Sequence, residues 1–186
     1  MTRYCWRCAA ALPGREGRAP VVCSGCGEEH YANPKPCGDA VVVSDGQVLL
    51  LRRGHEPELG AWDVPGGFCE ADEHPMHAAE RELAEELGLR GRATAYIGTW
   101  IDAYGPPDPD GVVIYTSVGA YLMELDDPEQ PPTLAPGEAL EARWFPLDQL
   151  PERLAFAAHA RPMLDVAAAM TRTPPTPAPP LPDRTW

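Results

Sequence analysis

The sequence predicts a mixed fold, an α/β or α+β sandwich, on three observations. Two apolar runs flank an Asp-Gly turn, two later stretches are rich in β-formers, and one segment has helical periodicity. The runs are Asp39 to Val43 and Gln47 to Leu51, with Ser44-Asp45-Gly46 between them, a hairpin signal. Val112 to Leu125 reads as a long strand and Thr94 to Ile101 as its partner. Arg143-Trp144-Phe145 reads as a short strand before Pro146. Helices are expected over 75-87 and 157-171.

Composition bounds the function. Fifteen Lys plus Arg face 28 Asp plus Glu, a formal net charge of -13. Nucleic-acid binding needs clustered cations, so it is disfavoured as a partner class. An anionic small molecule would be repelled at long range, so a phosphate-bearing ligand would need a bridging cation. The first residues lack a secretory apolar run and no segment approaches the length of a membrane span. The expected location is cytoplasmic, where thiols stay reduced.

Three zones follow the composition: 1-33 with four of the six cysteines, 34-171 with the alternating elements, and the proline-dense 172-186. The last is expected to be a disordered or polyproline-like tail. In the first, Cys5-x2-Cys8 and Cys23-x2-Cys26 are separated by 14 residues. Two such pairs set four thiolates around Zn²⁺ in a closed structural site, and Gly25 and Gly27 suit the tight knuckle around Cys26. Metal binding would supply folding energy that so short a segment lacks. Cys37 and Cys69 have no such partner and are read as free thiols.

The chemistry concentrates in Gly67 to Leu89. Pro75 suits a first helical position and Gly88 a left-handed C-terminal cap. Met76, Ala79, Leu83 and Leu87 form an apolar stripe. Glu82, Glu85 and Glu86 stand at i, i+3 and i+4, so like charges share a face that a Mg²⁺ or Mn²⁺ ion would neutralise. An acidic surface face is the bland alternative.

The whole segment resembles the box of the Nudix family, G-x5-E-x7-R-E-U-x-E-E-x-G-U with U aliphatic. Gly67, Glu73, Arg81, Glu82, Leu83, Glu85, Glu86, Gly88 and Leu89 fill its nine fixed positions. Gly60 to Gly66 and Glu141 to Asp148 resemble flanking stretches of the same family, so the likeness spans about 38-155. It implies a Nudix fold: a mixed sheet sandwiched between helices, here with an N-terminal zinc ribbon. It implies metal ligation by Glu82, Glu85 and Glu86, with the Gly67 carbonyl as a further ligand. Glu73 would hold Arg81 and orient the helix. Glu82 is the first candidate for general base, with Glu138 and Glu141 as alternatives.

The implied reaction is hydrolysis of a pyrophosphate in a nucleoside-diphosphate-linked small molecule. A zinc ribbon ahead of such a domain resembles NADH pyrophosphatases and smaller enzymes acting on ADP-ribose or FAD. The motif S-Q-P-W-P-F-P of the NADH-specific group is replaced by Tyr96 to Asp102, which favours ADP-ribose or FAD. Pro106, 17 residues past the box, points weakly the same way. NADH or NAD, or a silent ligand- or nucleic-acid-binding module, is the alternative. Arg52 or Arg53 is a candidate phosphate contact. Trp100 and Tyr104, with Trp62 and Trp144, are candidates to stack a base. A homodimer is expected from the family.

Overall fold

A computed structural model describes residues 3–14, 20–107, 109 and 111–172; the proline-dense stretch 173–186 lies outside the described residues. The apolar runs are continuous because both faces of the sheet are covered. In β3 (Lys35–Ser44) and β4 (Gln47–Arg53), successive side chains go to opposite clusters. Ala40, Val42, Leu49 and Leu51 join the cluster under α1 (Pro75–Leu87), with Leu83 and Leu87. Val41, Val48 and Leu50 join the cluster under α2 (Ala157–Arg172), with Met163 and Leu164. The period of two therefore gives a helix–sheet–helix sandwich.

The remaining strands complete that layer: β5 (Trp62–Asp63), β6 (Gly66–Phe68), β7 (Gly91–Ala103), β8 (Tyr115–Leu125) and β9 (Ala139–Pro146). The seven-stranded sheet runs β5-β4-β3-β8-β7, with β6 on β3 and β9 on β4. β3 and β8 are parallel and the other described pairs antiparallel, so the sheet is mixed. Ahead of it, β1 (Val21–Val22) and β2 (Glu29–His30) form a small hairpin. No helix among the described residues is long and apolar enough to cross a membrane.

The hairpin, the strand pair and both helices stand where periodicity predicts them, with differences at the ends. The expected strand from Val112 begins instead at Tyr115, because Gly111 turns the chain at φ 78° and the ladder with β7 ends at Ala103–Tyr115. β3 starts earlier than Asp39, through Pro36, Cys37 and Gly38, which carry little β-propensity of their own. The parallel ladder to β8 holds them. α2 passes through Pro162, which is exposed and near the helix start.

A row of glycines brings α1 onto the sheet. Gly67 of β6, Gly38 of β3 and Gly119 of β8 are cross-strand neighbours. A Cβ on Gly38 would lie 1.9 Å from the Pro75 carbonyl oxygen, and one on Gly119 would lie 3.2 Å from Pro75 Cβ. At the helix ends, His74 Nδ1 accepts the Met76 N–H at 3.1 Å, and Gly88 at φ 65° makes the C-cap. Gly38→Ala is therefore expected to destabilise the fold by about 1–3 kcal/mol or more, and Gly119→Ala by clearly less. Urea unfolding of both variants checks this order.

Candidate metal- and anion-binding site

Arg81 organises the loop and the helix that form the site. Its Nε and Nη2 donate to the two Glu73 oxygens at 3.0 and 2.9 Å. Nη1 donates to Glu82 Oε1 at 2.8 Å and Glu85 Oε2 at 2.7 Å, and Nη2 also reaches the Phe68 carbonyl at 3.0 Å. The forked guanidinium thus offsets the repulsion that three crowded glutamates would otherwise feel. Glu86 lies deeper, 9% exposed, and its Oε2 accepts the Gly66 N–H at 2.9 Å.

Glu82 and Glu86 open onto a cavity of about 260 Å³, together with Gly67, Arg53 and Tyr104. A Cβ on Gly67 would lie 2.2 Å from Glu82 Oε1, so a side chain there would displace that carboxylate. The Gly67 backbone and the two carboxylates therefore offer hard oxygen atoms in one place, the donor type that suits a divalent cation. Glu85, predicted to share the metal, is not among the cavity-lining residues; its side chain is 58% exposed and pairs with Arg81, and Glu73 is packed behind Arg81.

The other predicted contacts divide by strand parity. Arg53 faces the cavity; Arg52, its neighbour, faces away and pairs with Glu141 Oε2 at 3.4 Å across β9. Trp100 packs in the α2-side cluster, away from the cavity. Trp62 is held edge-on to Phe145 at 4.7 Å, and Trp144 packs in the α1-side cluster. Of the four aromatic candidates, only Tyr104 lines the cavity. Glu138 lines it too, beside His55 Nε2 at 3.0 Å, whereas Glu141 is bonded to Arg143 and Arg52.

Asp39, Asp63, Phe156 and His159 are among the cavity residues that lie outside the sequence-based set. Asp63 receives Arg53 Nη1 at 3.2 Å and the Val64 N–H at 3.0 Å. Arg53 Nε donates to the Pro57 carbonyl at 2.9 Å, its guanidinium lies 5.0 Å from the Phe156 ring, and its Nη2 is buried without a hydrogen-bond partner. An Asp inside an apolar strand run was the available signal for Asp39 and Asp63. Burial pushes Glu86 up to about 8 and Asp63 to about 6, and raises Glu82. Burial beside Asp63 and Glu86 lifts Asp39 well above the carboxylate range.

The four N-terminal cysteines form a second candidate centre. Their sulfur atoms all lie within 4.8 Å of one another, with Cys5–Cys26 at 3.7 Å and Cys8–Cys23 at 3.6 Å. A tetrahedral ion with metal–sulfur bonds of about 2.3 Å places its sulfurs roughly 3.8 Å apart, so the cluster has the right size. Ala9 (φ 57°) and Gly27 (φ 76°) follow the second cysteine of each pair, which makes two matching knuckles. Burial opposes ionisation of Cys23, but the Gly25 and Cys26 N–H groups outweigh it and bring the thiol down to about 7.

A helix-borne carboxylate cluster, locked by one arginine, opens on a cavity that also holds the buried Arg53, an arrangement whose oxygen donors and guanidinium suit a divalent cation and an anion. The NUDIX domain matches residues 35–166, and the chain belongs to that family. It is 32% identical over 133 residues to an ADP-ribose pyrophosphatase from Methanocaldococcus jannaschii, covering 68% of this chain and 69% of the relative. It is 29% identical over 167 residues to the NAD-capped RNA hydrolase NudC of Stutzerimonas stutzeri, covering 90% of this chain; the chain spans only 56% of that relative's length. A NUDIX hydrolase structure from Nitrosomonas europaea shares the fold at TM-score 0.68 and 22% identity, with 92% of each chain covered.

The raised carboxyls fix a pH dependence. A folded-state pKa above the unfolded value means that the folded chain holds protons the unfolded chain has shed. Their stability contribution is complete below the ordinary carboxylate range and is lost as pH rises through about 6 for Asp63 and about 8 for Glu86. Without added divalent cation, the melting temperature is expected to fall between about pH 5 and pH 8. Glu86→Gln is expected to flatten that fall, and thermal scans across pH check it.

Proposed function

We propose that this chain is a Mg²⁺- or Mn²⁺-dependent Nudix pyrophosphohydrolase. It cleaves the pyrophosphate of a nucleoside-diphosphate-linked small molecule, ADP-ribose or FAD, to a nucleoside monophosphate and a phosphorylated product. The observation that carries this reading is the single cavity shared by Glu82, Glu86, the Gly67 backbone and the buried Arg53. The raised pKa values of Glu82 and Glu86 fit a bound cation, which would restore the charged form that burial disfavours. When bound, the metal neutralises phosphoryl charge and acidifies water.

The chain's own groups do the rest. Glu82 and Glu86, with the Gly67 carbonyl and the more exposed Glu85, would hold the metal. Glu73 fixes Arg81, and Arg81 fixes the orientation of Glu82 and Glu85. Arg53 Nη2 is buried and unspent, so it can donate to a substrate phosphate oxygen. Tyr104 contributes an aromatic wall. The relatives named for ADP-ribose and for NAD-capped RNA support a substrate containing a nucleoside diphosphate. The second of them favours NADH or NAD as the alternative. In the same reading, residues 1-33 are a structural zinc ribbon on Cys5, Cys8, Cys23 and Cys26, and 34-171 the catalytic domain. The chain works in the cytosol, as a homodimer.

A panel of ADP-ribose, FAD, NADH, diadenosine polyphosphates and nucleoside triphosphates with Mg²⁺, resolved by chromatography, tests the reading. AMP from ADP-ribose or FAD is the expected product. Glu86→Gln and Glu82→Gln are each expected to lower kcat/KM by about 10²–10³-fold while the fold persists. No turnover of any compound with either metal would overturn it, and preferred cleavage of NADH would move the assignment to the alternative.

A further inference from the structure

His159 sits in the first turn of α2, 4% exposed, with its ring on the cavity. Its Nδ1 lies 3.0 Å from Asp102 Oδ2 of β7. A carboxylate oxygen only accepts, so Nδ1 carries a proton, and in the neutral form of the ring the lone pair is on Nε2. Nε2 is 3.9 Å from Asp39 Oδ2, beyond hydrogen-bond reach, so that lone pair stays unspent. Phe156 stacks on the ring at 5.8 Å and 17°, and itself stacks on Tyr104 at 5.6 Å. Phe156 has φ 47°, a region bulky side chains rarely adopt. The imidazole is therefore held in one plane and one tautomer.

The competing acceptors are engaged. Arg81 bonds Glu82 Oε1 and the Gly66 N–H bonds Glu86 Oε2, both of them assigned above to the metal, Arg53 with the Val64 N–H holds Asp63, and His55 Nε2 lies 3.0 Å from Glu138 Oε2. Burial beside other carboxylates favours a protonated Asp39, which is no base. The titratable and charged groups around His159 are Asp102 on β7, Asp39 on β3, Asp63 on β5, Arg53 beyond Phe156, Tyr104, and Glu86 across the cavity.

We propose that His159 is the general base of the hydrolysis put forward above, on which this inference rests, and that Asp102 is its positioning residue. Nε2 takes one proton from the attacking water as the water oxygen bonds to phosphorus. The bridging P–O bond breaks, and the bridging oxygen leaves with the electron pair as a phosphomonoester. The second water proton stays on the new phosphate. The imidazolium, balanced by Asp102, returns its proton to solvent.

The test is the pH profile of kcat and KM for wild type, His159→Asn and Asp102→Asn on the best substrate with Mg²⁺, with melting temperatures alongside. His159→Asn is expected to lose about 10²–10⁴-fold in kcat at an almost unchanged KM, and to lose the acid limb of the wild-type profile. Asp102→Asn is expected to lose less. Turnover surviving in His159→Asn, with its acid limb, overturns the base and leaves the hydrolase reading standing; a wild type inert on every substrate overturns both. Should His159→Asn fail to fold, Asp102→Asn and the ¹⁵N spectrum of the wild-type imidazole decide. A ring protonated at Nε2 in its neutral form overturns the proposal.

Discussion

Everything at the site depends on one guanidinium. Of the five hydrogen bonds of Arg81, two hold Glu82 and Glu85 on its own helix and three tie α1 to Glu73 and to Phe68 at the end of β6. Without it, Glu73, Glu82 and Glu85 would repel one another and swing toward solvent. Its side chain is only 24% exposed, so solvent screens the network weakly. Removing Arg81 would leave Glu73 and Glu82, the less exposed carboxylates, without their cation. The arginine therefore sets both the direction of the carboxylates and the stability of the loop facing them.

The sheet supplies the second constraint. α1 reaches its position only because a row of glycines removes the side chains beneath its first turn. That approach sets Gly67 against Glu82 and Gly66 against Glu86. From the other side, β3, β4 and β5 deliver Asp39, Arg53 and Asp63 to the same cavity. Asp39, Asp63 and Glu86 are buried there with one arginine, and burial disfavours the charged form of all three acids. A cation in the cavity would restore the charged form of those acids, and under the proposed function it would bridge a phosphate-bearing ligand to a chain of net charge -13.

Legibility followed sequence distance. The box was readable because its residues are local: spacings of three and four place Glu82, Glu85 and Glu86 on one helical face whatever surrounds them. The two CxxC pairs were readable because their spacing matches the geometry of a four-thiolate centre. Asp39, Asp63 and His159 were not, because they meet only after β3, β5 and α2 assemble. Asp102, His159's partner, is 57 residues away in the chain. Arg52 and Trp100 show the complementary failure: composition marks a plausible contact, but strand register decides which face it takes, and β4 sends Arg52 to Glu141 instead. Strand ends such as Lys35 to Gly38 were obscured because the neighbouring strand, not local propensity, holds them.

The central claim is that the inner carboxylates of α1 and the Gly67 backbone receive a divalent cation that in turn receives the substrate diphosphate. The most direct measurement is a crystal structure with Mn²⁺ and the methylene analogue of ADP-ribose, read by anomalous scattering. The account predicts a manganese peak bounded by Glu82, Glu86 and the Gly67 carbonyl, with the analogue's diphosphate on it and Arg53 on a phosphate oxygen. Manganese bound elsewhere, or an analogue seated outside this cavity with these carboxylates empty, would contradict it.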